Sequence, residues 1–426
     1  MNFSVNDGTV ESAFGPYIPA MMDCISCGVC NASCPTYKVK PEEQFGPRGR
    51  IRMIERVLRK QDSLNQQELE AFHACTLCRA CETVCPSRMA YGELYLQALH
   101  AMDRGVHRNR AVKLMLKLTN AGRVTQRLFN LLIRIYQGSG LQRVLRWLPF
   151  SPFPADIKVL ESLLPVPHVA TAIADYSPPK TAVCQGEVGL FIGCIAKIFD
   201  LQTHQATISL LTRLGYGVHV IADQTCCGAT HAHNGDLESA RRCARKNLDA
   251  FGKHRFDAVI YNSSGCGAFF SEYPKLLDAD PSAEQSPTMI LATDILDFLV
   301  ALEWPGEVEF RALNTKVAVH EPCSQRNQTK NAESIYGLLE KIPELEILPL
   351  PENGICCGAG GTKMLTHPEL AVPLRDEKVA ALLRADADIL ISSNLSCALH
   401  LASGIRQQGR DIEVMHPLRL LAQQLI

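Results

Sequence analysis

The chain has 426 residues, 46% of them hydrophobic, enough for roughly two to four packed domains. A formal net charge of −1 excludes a globally basic nucleic-acid binder, so no nucleic-acid partner is expected. No run of eighteen apolar residues and no basic-then-apolar leader stands in the sequence, so a cytoplasmic protein is expected, with a peripheral place on the inner face of the cytoplasmic membrane left open.

Residues 1 to 23 read as an irregular lead-in, broken by Gly8, Gly15, Pro16 and Pro19. Two copies of one cysteine pattern follow: Cys24, Cys27, Cys30 and Cys34-Pro35, then Cys75, Cys78, Cys81 and Cys85-Pro86. Both read C-x2-C-x2-C-x3-C-P, the spacing of bacterial two-cluster ferredoxins. Two-residue gaps let a turn-rich backbone wrap three corners of an iron–sulfur cubane, and the fourth cysteine ligates the other cluster. The expected sets are Cys24, Cys27, Cys30 and Cys85 for one [4Fe-4S] centre, and Cys75, Cys78, Cys81 and Cys34 for the second. A zinc ribbon needs two CxxC pairs rather than two quartets, and disulfides are not expected in a chain without a secretory leader.

Between the quartets, Ile51, Ile54, Val57 and Leu58 fall on one helical face, and a second helix is expected over 66–73. A mostly helical two-cluster domain should therefore run over residues 1–105. Arg48, Arg50 and Arg52 either offset cluster charge, face a partner, or sit at a solvated helix start.

Residues 106–182 read as a connector. From Arg104 to Ala155 there are ten basic residues and no acidic one, interleaved with Leu114, Leu116, Leu118, Leu128, Leu131, Leu132, Ile133, Leu145 and Trp147. Basic amphipathic helices of this kind pack as linkers, dock on partners or lie on anionic membrane surfaces. A proline-rich passage from Pro149 to Pro179 then reads as a linker or wrapping segment.

Beyond it, short apolar strands are expected over 188–192, 218–222, 258–261, 317–320, 347–350 and 389–392, separated by helical stretches. That alternation indicates α/β layers on a largely parallel sheet. The half is duplicated, over 183–305 and 306–426. Cys194, Cys226-Cys227-Gly228 and Cys266 recur as Cys323, Cys356-Cys357-Gly358 and Cys397, at offsets of 129, 130 and 131 residues. Each site follows a strand, where open α/β sheets put their ligands. The eight thiols could hold metal at two sites or at one between the copies; the rival is an apo or redox-active thiol pair. Gly228 and Gly358 are expected where backbone approaches the site closely. His231 and His233 stand as metal ligands, proton carriers or plain loop residues, and His320 and Glu321 as supports of the Cys323 site or a simple strand end. Cys184 and Cys243 match nothing in the other copy and read as buried thiols.

The tandem quartets resemble the helical ferredoxin domain of anaerobic-type dehydrogenase subunits. The duplicated Cys-Cys-Gly units resemble the cysteine-rich domain of heterodisulfide reductases and of the anaerobic glycerol-3-phosphate dehydrogenase iron–sulfur subunit. The whole order, with Gly46-Pro47-Arg48-Gly49-Arg50-Ile51 and Cys356-Cys357-Gly358-Ala359-Gly360-Gly361, is most similar to the glycolate oxidase iron–sulfur subunit family. The resemblance implies an electron-transfer subunit of a flavin-dependent 2-hydroxy acid dehydrogenase, fed by partner FAD-binding subunits that oxidise glycolate or D-lactate, and delivering to a quinone or other acceptor. Service to glycerol-3-phosphate oxidation, or thiol/disulfide reduction, is the alternative. No GxGxxG opens a helix after a strand, so substrate oxidation belongs on a partner and no catalytic residue is assigned here. One departure matters. Heterodisulfide-type units close with Cys-x-x-Cys, whereas this chain has Cys266-Gly-Ala-Phe269 and Cys397-Ala-Leu-His400. Four thiols per copy could still hold one iron–sulfur centre, with His400 as a nitrogen donor in the second.

Overall fold

The computed structural model describes residues 23–58, 64–102, 112, 123–147, 155–165, 173–278, 290 and 292–426. The expected lead-in over residues 1–22, and the part of the basic stretch carrying Leu114, Leu116 and Leu118, lie outside the described residues.

Among the described residues, three longer helices build the first unit. Helix α1 (Pro47–Leu58) opens on a proline, whose fixed φ suits a first helical residue, and buries Ile51, Met53, Ile54 and Val57. Helix α2 (Gln66–His73) starts at a reciprocal cap: Glu68 N–H donates to Asn65 Oδ1 at 2.9 Å, and Asn65 N–H donates to Glu68 Oε2 at 3.0 Å. Helix α3 (Tyr91–Met102) buries Leu94, Tyr95, Ala98 and Leu99 completely. Phe72 stacks on Tyr95 at 4.8 Å, and the Tyr95 hydroxyl donates to the Phe72 carbonyl at 2.6 Å. Ring packing of this kind adds about 0.5–1.5 kcal/mol to the burial itself.

Helices α4 (Arg123–Gly138) and α5 (Leu141–Trp147) follow. The proline-rich passage is not all linker, because Ala155–Ser162 is helical. Arg406 Nη2 donates to the Ser162 carbonyl at 2.8 Å and ties that helix to the second copy.

The two copies are open sheets of one design. Strands β1 (Tyr176–Ser177), β2 (Gly186–Phe191), β3 (Tyr216–His219), β4 (Ala258–Tyr261) and β5 (Ala292–Asp294) form a sheet ordered β1-β3-β2-β4-β5. Strands β6 (Thr315–His320), β7 (Leu345–Pro349), β8 (Ile389–Ser392) and β9 (Glu413–Met415) form another ordered β7-β6-β8-β9. Apart from the β1–β3 pair, every pairing is parallel. Phe191 sits opposite Tyr261 in the first copy, as His320 sits opposite Ser392 in the second. In each copy the chain leaves the first long strand to one side, then returns to its other side. Cys194 and Cys323 thus follow the strand at which the order reverses, where open sheets leave a crevice.

Helices α6 (Leu201–Arg213), α7 (Leu237–Gly252) and α8 (Ser264–Phe270) belong to the first copy; α9 (Pro368–Ala385), α10 (Leu395–Gln407) and α11 (Pro417–Gln424) belong to the second. Val188, Leu190 and Ile260 share one apolar core with Val317, Val319 and Ile391, so the copies are fused rather than strung. The helical unit lies across both. It shares a core with Phe270 and Tyr273, Arg79 pairs with Glu272, and Lys38 meets Glu377 at 2.5 Å.

Candidate metal centres

The two quartet loops share a backbone. Ser26 and Gly28 in the first loop, and Leu77 and Arg79 in the second, take left-handed φ of 55°, 81°, 52° and 56°. Short helical turns follow, over Val29–Ala32 and Ala80–Thr83. Three non-glycine residues accept a conformation that L side chains rarely adopt, a cost typical of ligand-holding loops. Gly28 has a second constraint, since a Cβ there would lie 2.5 Å from Arg48 Nη1. Arg48 is fixed in turn, with Nε and Nη2 on the Glu43 carboxylate at 2.5 and 2.8 Å and Nη1 on the Ser26 carbonyl at 3.2 Å.

Cys24, Cys27, Cys30 and Cys85 line one small cavity, whose wall also includes Cys81. Cys27 is exposed there. Cys34, Cys75, Cys78 and Cys81 are all buried. Burial first, and then the charges of neighbouring thiols including Cys34 and Cys75, push the Cys78 and Cys81 thiols up. Buried thiols that resist ionising on their own, and face one another, suit a metal that takes them as thiolates. Arg50 is not at a solvated helix start. It is wholly buried, donates from Nε and Nη2 to the Ala71 carbonyl at 3.0 and 2.8 Å, and reaches Thr36 Oγ1 at 3.1 Å. Thr36 Oγ1 lies 3.2 Å from Cys34 Sγ, so this cation sits one hydroxyl away from the second thiol set. Arg52 is exposed.

In the duplicated half the sulfurs form two matching rows. Cys194 Sγ is 3.4 Å from Cys226 Sγ, Cys226 touches Cys227, and Cys227 touches Cys266. Cys323, Cys356, Cys357 and Cys397 repeat that order. The glycine of each motif is dictated by geometry. Gly228 and Gly358 have φ of 96° and 88°, and each N–H donates back to the first cysteine of its pair at 3.4 Å. A Cβ on Gly358 would lie 2.6 Å from the Ala371 carbonyl oxygen of α9. Both rows open on one cavity of about 740 Å³ between the copies, lined by Cys194, Cys227, Cys266, Cys323, Cys356 and Cys397. Ser324 Oγ donates to Ser264 Oγ at 2.8 Å and Asn394 Nδ2 reaches the same oxygen at 3.2 Å, closing the seam beneath it.

Histidines divide by position. A ring nitrogen of His320, Cys357 Sγ and Cys397 Sγ all lie within 4.8 Å of one another. His320 Nδ1 is 3.1 Å from Ser392 Oγ, and burial pushes the ring down to about 3, leaving it neutral. His400, the nitrogen donor expected from sequence, places Nε2 3.2 Å from the Ala371 carbonyl and keeps its buried Nδ1 without a hydrogen-bond partner among the described residues. His233 lines the cavity, edge-on to Phe269, and burial pushes it down to about 3. His231 Nδ1 contacts Asp236 at 3.3 Å. Cys243 is buried, but Cys184 is exposed on the surface, because it stands in the bend before β2 rather than in a core element.

The second thiol set and the second copy meet directly. Cys78 and Ala80 share a buried cluster with Cys356, and Cys323 packs against it. Asn327 Nδ2 donates to the Cys78 carbonyl at 2.7 Å. Lys378, 2% exposed in α9, donates to the Glu352 carbonyl at 2.8 Å and stands beside Cys356 and Cys357. Sequence reasoning missed both Asn327 and Lys378, since neither lies in a motif and a mid-helix lysine ordinarily faces solvent.

Comparison with known proteins agrees with this geometry. The family described as a 4Fe-4S dicluster domain matches residues 20–89, and the cysteine-rich domain (CCG) matches residues 188–271 and 317–402. A probable glycolate oxidase iron-sulfur subunit of Bacillus subtilis (strain 168) is 30% identical over 410 residues, 91% of this chain and 90% of the relative. The glycolate oxidase iron-sulfur subunit of Escherichia coli (strain K12) is 31% identical over 401 residues, 92% of each chain. Lactate utilization protein A of Halalkalibacterium halodurans is 30% identical over 240 residues, 56% of this chain and 97% of the relative. Among the described residues no helix is long and apolar enough to cross a membrane. With tandem quartets, paired Cys-Cys-Gly units and relatives aligned nearly end to end, the chain belongs to the glycolate oxidase iron–sulfur subunit family.

Proposed function

We propose that this chain is the electron-transfer subunit of a flavin-dependent 2-hydroxy acid dehydrogenase, taking electrons from FAD-binding partner subunits that oxidise glycolate or D-lactate and passing them toward a quinone or other acceptor. The observation that carries this reading is the continuity of thiol sets, from exposed Cys27 through the quartets to Cys78 against Cys356. Cys24, Cys27, Cys30 and Cys85 would hold one [4Fe-4S] cluster, and Cys75, Cys78, Cys81 and Cys34 the second. Cys194, Cys226, Cys227 and Cys266, with Cys323, Cys356, Cys357 and Cys397, would hold one or two further centres. When bound, such clusters supply one-electron storage at potentials set by local charge, hydrogen bonds to sulfur and solvent exposure.

The chain's own residues do the rest. Burial keeps water from the second set, and Arg50 brings a fixed positive charge to it. Ile25, Val29 and Val84 are exposed around the first set and offer an apolar docking face for the flavoprotein. Leu128, Leu131, Leu132 and Ile135 form a stripe on α4 that is 54–58% exposed, within a stretch free of acidic residues. That face suits peripheral contact with an anionic membrane surface, where quinones are found. We divide the chain into a ferredoxin unit over 1–105, a connector over 106–182 and repeats over 183–305 and 306–426.

Iron and sulfide quantification with EPR on anaerobically purified chain tests the reading. The ferredoxin sets alone predict about eight irons, and filled repeats predict about twelve to sixteen. A colourless, iron-free or zinc-only preparation overturns it.

A further inference from the structure

The two thiol rows match, yet what stands over them does not. In the first copy the residue ending β2 is Phe191, which packs edge-on against Phe270 at 4.9 Å. In the second, the residue ending β6 at the same register is His320, and its ring nitrogen lies with Cys357 and Cys397 inside 4.8 Å. Atoms bound to one tetrahedral metal ion are separated by about 3.3–3.8 Å, given bonds of about 2.0–2.3 Å. Donors this close can therefore share a single ion. His320 is also held as metal-bound imidazoles are, with its Nδ1 at the Ser392 hydroxyl at 3.1 Å, which fixes the ring. Ser392 itself is 2% exposed and sits opposite His320 in the strand register.

Charge and composition fit the same site. Lys378 stands beside Cys356 and Cys357 with its Nζ on the Glu352 carbonyl, a buried cation facing thiols that metal binding would turn into thiolates. Three residues after Cys397 stands His400, whose Nε2 is held at the Ala371 carbonyl at 3.2 Å.

We infer that the second cysteine-rich copy binds its metal through a mixed sulfur and nitrogen set, with His320 as a ligand beside Cys357 and Cys397, whereas among the described residues no ring nitrogen joins the first copy's thiols in such a cluster. The inference rests on the reading that the repeats carry metal centres. It makes the copies chemically unequal: the centre next to Cys78 differs in ligand from its twin, and so differs in potential.

The test compares the metal content of anaerobically purified full-length chain with that of three variants. His320→Phe installs the first copy's residue, His320→Cys restores a donor, and Cys397→Ser removes an undisputed thiol. Iron and zinc are both measured. The expected result is that His320→Phe and Cys397→Ser lose the same metal, roughly one ion or more per chain, while His320→Cys keeps at least half of it. EPR signals of the ferredoxin sets should persist in all four proteins, which shows that the fold survives. Full metal retention in His320→Phe, or an equal loss in His320→Cys, overturns the inference. Absence of ferredoxin signals from the unaltered chain would instead overturn the electron-transfer reading, so the two failures are distinguishable.

Discussion

Arg50 illustrates what a charged residue in the first turn of a helix can do once the chain folds over it. Its guanidinium is buried against Ala71 and Thr36, beside Cys34 and Cys75. Removing that positive charge should make the neighbouring iron–sulfur site harder to reduce, because added electron density loses its compensation. Arg50→Met is therefore expected to shift the EPR-monitored potential of one ferredoxin signal negative. It should also lower stability by about 1–3 kcal/mol through the orphaned Ala71 carbonyl. An unchanged potential would contradict this role. Asp294 gives a pH dependence of definite sign. Its carboxylate caps α-helical Leu296 N–H at 2.9 Å, and burial pushes it up to about 7. In the unfolded chain it titrates near the ordinary value of about 3.9. Between those values the folded state holds the extra proton, so Asp294's contribution is present at low pH and lost as pH rises through about 7. The urea midpoint of the unaltered chain, taken relative to that of Asp294→Asn at the same pH, should fall between about pH 5 and about pH 8; a relative rise with pH would refute the assignment. Arg50 was readable in the sequence as one candidate counter-charge among three arginines, whereas Asp294 was not singled out, because burial is a property of the assembled fold.

At the scale of elements, the strands 258–261 and 389–392 were legible to the residue, since both are short apolar runs buried on two faces. β1, β5 and β9 were not. They have two or three residues, lie at sheet edges, and carry polar side chains such as Ser177, Asp294 and Glu413. The quartets and the Cys-Cys-Gly motifs were readable because ligand spacing is local, whereas His320 and Lys378 reach the site only through strand register and helix packing. The Cys-Cys-Gly glycines make an element-level prediction. Gly358→Ala places a Cβ 2.6 Å from the Ala371 carbonyl, while at Gly228 the nearest atom is Ala240 O at 3.1 Å. Chemical denaturation should show Gly358→Ala costing roughly 2–4 kcal/mol and Gly228→Ala clearly less; equal losses would contradict it. Helix α4 makes another. The chain should float with vesicles containing anionic lipid, and replacing Leu128, Leu131, Leu132 and Ile135 together with serine should abolish flotation. Undiminished flotation of that variant, or none by the unaltered chain, would remove the membrane face.

Over the whole molecule, the helical unit is seated across two fused sheets, so that thiols separated by hundreds of residues in sequence become neighbours in one structure. The architecture of a ferredoxin unit followed by duplicated α/β units was readable from sequence, since repetition at a nearly constant offset reports duplication without any geometry. The contact of Cys78 with Cys356 was not, because it depends on how α/β and helical surfaces meet. On the proposed function, that contact joins the thiol sets into one route for electrons, with oxidation of the substrate on a partner. The direct test is anaerobic stopped-flow spectroscopy of the purified chain mixed with its FAD-binding partner and glycolate or D-lactate. Bleaching of the iron–sulfur absorbance that requires both partner and substrate is the predicted result; bleaching by substrate without the flavoprotein, or none in the complete mixture although dithionite bleaches the chain, would contradict it.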